Sequence, residues 1–432
     1  MNQIGGHREM ETLLGAARQA QRAGNADEAA RLCRLVLATA GDHPLALNIL
    51  GRQALARAAP IEAAALFRRA IAADPVAPEL HINLATAMRE SGNDDGEQAA
   101  LEGALAIDQR HFMALVRLAE LFERRGEDDR AAERWSGVLA MSVLLEDRTP
   151  AIDTMLAHAH AFVARQQAAF AEAVDTGLAR LRDGIAPGDR RRVDGCIDAL
   201  IGRRRIYTNI CSGLHVPFLP ADEFFDRAHF PWLAQIEAQT DIIRTELEAL
   251  LAADSPGIQP YVVMQPGTPE NKWSALDNRL DWGAFHLWKN GVRDDAACAR
   301  CPQTAAAIEA LPLANLPARA PSVFFSLLRP GTRLPAHTGV SNVRAIIHLP
   351  LIVPDKCGFR VGGETREWRV GEAWAFDDTI EHEAWNRSDQ LRAILIFDVW
   401  NPYLTEVERD VLRAFFPVAD ANGYDLRAQI GD

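Results

Sequence analysis

The sequence predicts an α+β chain of several domains, in which a helical repeat solenoid precedes a β-rich domain. Three observations lead to this prediction. The chain has 432 residues, more than one typical hydrophobic core organises. Its first part is rich in Ala, Leu, Arg and Glu and repeats at a fixed period, while eight of its nine tryptophans lie beyond residue 220 among short β-rich runs. We expect a repeat domain over 1–145, a helical connector over 146–215 and a β-rich domain over 216–432.

The N-terminal part has a period of 34 residues. A turn position keeps this period in Gly24, Ala58, Gly92 and Gly126, and an apolar column keeps it in Cys33, Phe67, Leu101 and Trp135. A small residue facing a large one at fixed helical positions lets paired helices stack on the next pair. The pattern resembles the tetratricopeptide repeat, with about four units over 8–143. An Ala-rich helical bundle with accidental spacing is the alternative.

The connector and the start of the last domain also predict helices. Residues 152–181 carry apolar side chains at three- and four-residue steps, and Pro187-Gly188 interrupts this pattern. Pro231–Leu251 predicts a further helix, with Pro231 in its first turn.

Short strands follow that helix, separated in several places by Gly and Pro. We expect them at 260–264, 322–328, 343–353, 358–361, 367–369, 373–376 and 391–400. Many short strands joined by such turns predict an antiparallel sandwich or jelly roll.

Composition excludes several classes of protein. With 59 acidic and 46 basic residues the net charge is −13, so we expect no nucleic-acid partner in the absence of a local basic patch. The longest apolar runs have the length of a strand, so we expect no membrane span. The first 21 residues lack the apolar core of a signal peptide. Six cysteines are few for this length and favour a reducing cytoplasm.

Three histidines lie among the predicted strands: His337, His348 and His382. Two imidazoles about 45 residues apart, each at the edge of a strand, could meet across the mouth of a jelly roll and bind a metal. Imidazole suits Fe(II), Zn and Cu alike, so the ligand type does not name the metal. A single histidine of this kind is more often a surface or core residue than a metal ligand.

Two arginines are predicted to point inward. Arg392 shares strand parity with Ile394 and Ile396, which places its guanidinium on an apolar face. A cation there needs an anionic partner, and a small dicarboxylate ligand would supply one. An internal salt bridge with Asp398 or Asp378 is the alternative. Arg344 shares a face with His348 in the same way.

Several motifs in the last domain resemble the aspartyl/asparaginyl β-hydroxylase family. They are His337-Thr338-Gly339, Asn342-Val343-Arg344, His348-Leu349-Pro350, Gly363-Glu364-Thr365-Arg366, Phe376-Asp377-Asp378, Glu381-His382-Glu383 and Phe397-Asp398-Val399. The resemblance covers roughly 216–405 and is strongest over 322–402. It implies a double-stranded β-helix and an Fe(II)- and 2-oxoglutarate-dependent oxygenase that uses dioxygen.

The resemblance also implies roles for individual residues. His337 and His382 match the two iron ligands of the family. In most oxygenases of this chemistry a carboxylate lies two residues after the first histidine. Here that residue is Gly339, as in the family, so water or substrate must complete the coordination. Asp378, four residues before His382, is placed to hold such a water.

The remaining matched residues would bind organic ligands. Ser326 and Arg392 match residues that bind the distal carboxylate of 2-oxoglutarate, and His348 matches the residue beside its 1-carboxylate. Arg344 matches an arginine that contacts substrate. Ile346 departs from the mammalian members, which have a second co-substrate arginine there.

Three functions remain open at this level. The first is hydroxylation of the β-carbon of aspartyl or asparaginyl residues in a peptide or protein presented by the repeat domain, since such repeats bind extended segments of other chains. The second is the same chemistry on a small molecule or a lipid acyl chain. The third is a repeat adaptor without catalysis. Cys298 and Cys301 form a single CxxC pair, too little for a zinc site, and we expect free thiols.

Overall fold

The computed structural model describes residues 2–145, 148–253 and 257–423, with side chains from residue 8 onward. It divides into two compact units, Met1–Asp194 and Gly195–Asp432. The expected boundaries at residues 145 and 215 stay predictions.

The first unit consists of helices that pack in consecutive pairs. The helices are α1 (Asn2–Arg22), α2 (Ala26–Ala40), α3 (Pro44–Ala56), α4 (Pro60–Ala73), α5 (Pro78–Glu90), α6 (Asp94–Ile107), α7 (Phe112–Arg125), α8 (Asp128–Ser142) and α9 (Pro150–Asp183). A tenth helix, α10 (Pro187–Leu200), crosses the boundary between the units. Both members of the helix pair recur every 34 residues, because α3, α5 and α7 begin at 44, 78 and 112, and α2, α4, α6 and α8 at 26, 60, 94 and 128. The tetratricopeptide-like region predicted from the sequence is confirmed.

The turn inside each pair has the same backbone conformation in all four repeats. Gly24, Ala58, Gly92 and Gly126 have φ values of 76°, 57°, 69° and 69°. Glycine adopts this left-handed conformation without steric cost, whereas the Cβ of Ala58 strains it. The period in the sequence therefore reports a backbone requirement as well as a packing pattern.

The second unit contains two antiparallel sheets. The strands are β1 (Gln259–Pro260), β2 (Trp282–Lys289), β3 (Val292–Arg293), β4 (Val323–Leu328), β5 (Arg333–His337), β6 (Arg344–Ile352), β7 (Cys357–Val361), β8 (Glu364–Arg366), β9 (Trp374–Phe376), β10 (His382–Asn386) and β11 (Arg392–Trp400). The seven-stranded sheet has the order β1-β2-β4-β11-β6-β9, with β3 beside β2, and the four-stranded sheet has the order β5-β10-β7-β8.

The large sheet is covered on both faces. One face packs on the small sheet through a shared apolar cluster that includes Ile394 and Phe359. The other face packs on helices through a second cluster that includes Leu247 and Phe397. The helices of this unit are α11 (Leu233–Glu237), α12 (Thr240–Leu251), α13 (Asp295–Arg300), α14 (Pro302–Glu309) and α15 (Glu406–Ala421). A helical first unit followed by a sheet-rich unit is the coarse architecture that the sequence predicted.

Local differences from the expected elements have physical reasons. The helix expected over 231–251 is two helices, α11 and α12, interrupted near Ala238. The strand expected at 367–369 lies instead at Glu364–Arg366, because the turn at Gly362 returns the chain at once to pair with β7. Strands β2, β3, β5 and β10 were not predicted. Within the described ranges no helix is both long and apolar enough to cross a bilayer.

Candidate active site

A cavity of about 410 Å³ opens inside the second unit, and every site residue predicted from the sequence lines it. These residues are Ser326, His337, Arg344, His348, Asp378, His382 and Arg392. Alternation along the strands brings several of them to one face of the large sheet, since every second residue of a strand points the same way. The small sheet contributes the two histidines of β5 and β10.

His337 and His382 face each other across paired strands. They are Cα partners in the β5–β10 register, and their ring centroids lie 4.0 Å apart. His337 Nδ1 donates to the carbonyl of Pro335 at 2.7 Å, and His382 Nδ1 to that of Ile380 at 2.9 Å. A carbonyl can only accept, so each Nδ1 holds the proton and each Nε2 keeps a lone pair.

Burial keeps both rings neutral. It lowers the pKa of His337 to about 4 and that of His382 well below its usual value. Two neutral imidazoles whose outer nitrogens are fixed by backbone carbonyls have the form that metals bind. In the part of the chain that the structure describes, no third His, Cys, Asp or Glu joins them to make a group of three.

Asp378 occupies the space that a side chain at position 339 would fill. A Cβ added to Gly339 would overlap the Asp378 carboxylate, and Gly339 N donates to the Asp378 carbonyl. Asp378 Oδ1 is buried without a hydrogen-bond partner among the described residues. Burial raises the pKa of this carboxyl to about 7, against the opposing effect of Arg344. The absence of a side chain at 339 thus leaves room for a carboxylate that comes from elsewhere in the chain.

Arg392 is a buried cation with no carboxylate partner among the described residues. It is 1% exposed, and its guanidinium lies 4.7 Å from the centre of the Trp368 ring. Its Nη1 donates to the carbonyl and Oγ of Ser326 at 3.3 and 3.2 Å, while Nε has no partner. Burial lowers the pKa of Arg392 to about 10. The internal salt bridge considered as an alternative is absent for this arginine, because Asp398 pairs with Arg344 instead at 2.8 Å.

His348 lies close to Arg392 and is also incompletely paired. Its ring packs between Phe359 and Phe376, at 4.9 and 4.8 Å, and its Nδ1 has no partner among the described residues. Burial, and then the charge of Arg392, lower its pKa well below the usual value. Ile346 beside it is buried in the apolar cluster between the sheets. His348 and Arg392 thus both line the cavity and each has a buried polar atom without a partner among the described residues, which favours a polar ligand there.

Arg344 lines the cavity as a member of an ion pair. Burial opposes its charge, but Asp398 and then Asp378 outweigh this effect and raise its pKa. Asp398 also accepts a hydrogen bond from the backbone of Ser322 at 2.9 Å. A ligand that contacts Arg344 would therefore share the guanidinium with Asp398.

The acids that flank His382 in the sequence have structural partners. Glu383 pairs with Arg360 at 2.7 Å and also with Arg333, and Glu381 pairs with Arg360 at 3.0 Å. Glu381 and Glu383 alternate with His382 along the chain, so their ion pairs lie on the side of the chain away from the His pair. Neither acid lines the cavity.

Sequence reasoning missed two cavity residues on the irregular loop between β1 and β2. Trp273 meets the His337 ring edge-on at 4.8 Å, and Lys272 Nζ donates to the Ala336 carbonyl at 2.9 Å. It also missed His286 and Lys289 on β2, which line the cavity. Parity with Trp282 along β2 could have found His286, but no periodic signal marks a loop residue.

A backbone segment, residues 209–216, lies along the loops that carry the site. Asn209 Nδ2 donates to Asp377 Oδ2 at 2.6 Å, and Ile210 N to the Thr379 carbonyl at 2.8 Å. Gly213 N donates to the Val340 carbonyl at 2.9 Å, and Val216 N to Asn342 Oδ1 at 2.8 Å. The segment is thus bonded to both loops next to His337 and Asp378.

Comparison with known proteins finds similarity to one family over part of the chain. Residues 237–402 match the family model described as "Aspartyl/Asparaginyl beta-hydroxylase". An ornithine lipid ester-linked acyl 2-hydroxylase of Rhizobium tropici is 37% identical over 181 residues, 41% of this chain and 60% of that protein. The human aspartyl/asparaginyl beta-hydroxylase is 38% identical over 140 residues, 32% of this chain and 18% of that protein.

Among solved structures, the crystal structure of MamA matches with a TM-score of 0.29 and 18% identity, over 34% of this chain and 90% of that one. The chain spans less than two thirds of the two curated relatives named above. The family match covers β1 to β11 and includes every predicted site residue. Residues 237–402 of this chain are therefore similar to the aspartyl/asparaginyl beta-hydroxylase family.

Proposed function

We propose that this chain is an Fe(II)- and 2-oxoglutarate-dependent dioxygenase that hydroxylates the β-carbon of aspartyl or asparaginyl residues in a peptide or protein. In the overall reaction, 2-oxoglutarate, dioxygen and a C–H bond are converted to succinate, carbon dioxide and a C–OH bond. We further propose that the two sheets form the double-stranded β-helix that accompanies this chemistry.

The observation that carries the proposal is the uncompensated charge of Arg392. A guanidinium that is 1% exposed and lacks a carboxylate partner among the described residues is costly unless an anion completes it. The cavity that it lines also contains the His337–His382 pair. A dicarboxylate that reaches from a metal to a buried arginine fits this combination of donors.

The residues present fit both groups. His337 and His382 would hold the iron through their Nε2 atoms, which the backbone carbonyls leave with lone pairs. When bound, the iron supplies the activation of dioxygen that hydroxylation requires. Asp378 can hold a proton or accept a hydrogen bond at its unpartnered Oδ1 beside the pair.

The organic co-substrate would be held at the other side of the cavity. Arg392 and the Ser326 hydroxyl would donate to its distal carboxylate, and His348 would offer a polar side chain to the remaining end. Trp282 Nε1 donates to Ser326 Oγ at 3.1 Å and so orients that hydroxyl. Ile346 adds an apolar wall where a second arginine would otherwise bind the co-substrate.

A protein substrate is favoured by the repeat domain, because tetratricopeptide-like repeats bind extended segments of other chains. Arg344 would contact the substrate while it remains paired with Asp398. A second candidate, hydroxylation of a lipid acyl chain, is favoured by the 37% identity to the acyl 2-hydroxylase of Rhizobium tropici. The third, a repeat adaptor without catalysis, is disfavoured by the complete set of polar residues in the cavity.

A succinate-release screen tests the proposal. The full chain with Fe(II), 2-oxoglutarate and dioxygen is incubated with peptides containing Asp or Asn and with acyl lipids, and products are examined by mass spectrometry for one added oxygen atom. His382→Ala should abolish release, while His229→Ala, outside the cavity, should retain it. Absence of 2-oxoglutarate consumption with every substrate, or equal activity of His382→Ala, would refute the proposal.

A further inference from the structure

One end of the cavity has polar groups that the proposed reaction does not use. His286 and Lys289 lie near the end of β2 and line the cavity. The His286 ring packs on Phe324 at 4.9 Å, and Tyr261 lies 5.4 Å from the same phenylalanine. An aromatic floor with one imidazole and one ammonium group at its edge has the composition of a ligand subsite.

The His286 ring has an unsatisfied nitrogen. Its Nδ1 is buried and makes no hydrogen bond to any described residue. Burial and then the nearby Lys289 lower its pKa to about 4, although the Trp288 backbone opposes this shift. The ring is therefore neutral near pH 7 and can donate through a protonated ring nitrogen. Buried polar atoms are nearly always paired in folded proteins, so an unpaired one in a residue that lines a cavity favours a missing partner.

Lys289 adds a positive charge to the same end. Only three of the 46 basic residues of the chain are lysines, and two of them, Lys272 and Lys289, line this cavity; the third is Lys356. Lys272 donates to the Ala336 carbonyl, whereas Lys289 forms no ion pair within the described part of the chain. A neutral hydrogen-bond donor beside a free ammonium group selects an anion over a cation or an apolar group.

This end is too far from Arg392 to hold the same small diacid. The sheet register aligns Arg392 with Leu328 and Leu328 with Trp282, so His286 lies four residues further along β2. Four residues of a strand span about 13 Å, and β4 also separates β2 from β11. The five-carbon chain of 2-oxoglutarate is much shorter than this separation. A ligand at His286 must therefore be a different molecule.

We infer that His286 and Lys289 form an anion subsite that binds a carboxylate of the substrate. The inference rests on the proposed function in one respect: the molecule that carries this carboxylate is taken to be the substrate. It predicts an acidic substrate, such as a peptide with a second acidic group near the reacting residue, and disfavours a neutral acyl chain. His286 donates a hydrogen bond to the carboxylate, and the ammonium of Lys289 neutralises its charge.

The small number of lysines allows a direct test. Reductive methylation with ¹³C-formaldehyde keeps the positive charge and gives one dimethyl-lysine NMR signal for each of Lys272, Lys289 and Lys356. The full chain is first given 2-oxoglutarate, which should leave the Lys289 signal in place. Butanoate and its neutral isostere butanamide are then titrated in parallel. Lys289→Met assigns the signal, and Lys356→Met serves as the matched control.

The expected result is a saturable shift of the Lys289 signal with butanoate and none with butanamide. His286→Phe, which keeps the ring shape, should raise the half-saturating concentration about fivefold, as expected for the loss of one hydrogen bond. His286→Gln, which keeps a donor, should bind closer to the unmodified chain. Equal shifts with butanamide, an equal response of Lys356, or no effect of His286→Phe would each overturn the inference.

The outcomes also separate this inference from the proposed function. A Lys289 response without 2-oxoglutarate-dependent hydroxylation of any substrate would refute the proposed function and leave the subsite standing. Hydroxylation of an acidic peptide without a Lys289 response to butanoate would refute the subsite alone.

Discussion

Replacing Arg392 with methionine should separate ligand binding from stability. In the ligand-free protein the burial that lowers the pKa of Arg392 to about 10 corresponds to a penalty of about 3 kcal/mol on the charged form. Its two hydrogen bonds to Ser326 return about 1 kcal/mol each. We therefore expect Arg392→Met to change the free energy of unfolding by no more than about 1 kcal/mol, since the loss of the two hydrogen bonds and the removal of the burial penalty nearly cancel.

The effect on 2-oxoglutarate should be much larger. Removing one member of a desolvated charge pair costs about 2–5 kcal/mol, so the dissociation constant should rise from about 30-fold to several thousand-fold. Isothermal titration calorimetry of 2-oxoglutarate into the Fe(II)-loaded protein without oxygen measures this, and denaturant unfolding measures stability. Arg366→Met is the matched control, because Arg366 also lies over an aromatic ring, 3.9 Å from the centre of Phe224, but outside the cavity.

Two results would refute the reasoning. Unchanged 2-oxoglutarate affinity in Arg392→Met would mean that no carboxylate binds this guanidinium. A loss of more than about 3 kcal/mol of stability in the ligand-free variant would indicate a broken internal ion pair instead.

Four further predictions address other parts of the molecule. His382→Ala should abolish 2-oxoglutarate turnover and weaken Fe(II) binding without unfolding the chain, as measured by succinate release and circular dichroism; wild-type turnover would disprove the ligand role. Gly339→Ala should reduce turnover at least tenfold and cost about 1–3 kcal/mol of stability, because its Cβ overlaps the Asp378 carboxylate; a neutral outcome in both assays would contradict the packing described. Ala58→Gly should stabilise the first unit by about 1 kcal/mol in thermal unfolding, because glycine relieves the strain at φ 57°; destabilisation would count against that strain. His286→Phe should reduce the loss of stability between pH 6.5 and 4 by about 2–3 kcal/mol, and should not change the pH dependence above pH 6.5. The reason is that, between these pH values, the His286 imidazole takes up a proton only in the unfolded state. A pH profile of stability identical to that of the unmodified chain would disprove the buried neutral ring.

The repeat region was the most predictable part of the fold, because each unit meets the same packing and turn requirements as the previous one. The apolar column ending in Trp135 is buried in every repeat, and the turn residues share one backbone conformation. Strands with alternating or continuous apolar residues, such as β6 and β11, were also predictable, because the pattern of apolar residues indicates that the strand is buried.

The strands that carry the histidine pair were harder to predict. β5 and β10 are short and bear polar side chains that turn toward a cavity or form ion pairs, so the period of two is lost. Motif resemblance found His337 and His382 where periodicity could not. No local pattern could show that Asp378 occupies the space beside Gly339, since that relation depends on how two distant loops meet.

The backbone bonds of residues 209–216 bear on how the second unit can be cut and recombined. This stretch precedes the family match at 237–402, yet it is hydrogen-bonded to the loops beside His337 and Asp378. An expression fragment that began at the family match would leave those backbone groups open to water and the loops unsupported. Chimeras that exchange the second unit between relatives should therefore move their upstream junction to before Asn209, so that the recipient inherits the edge that shapes the pocket together with the pocket itself.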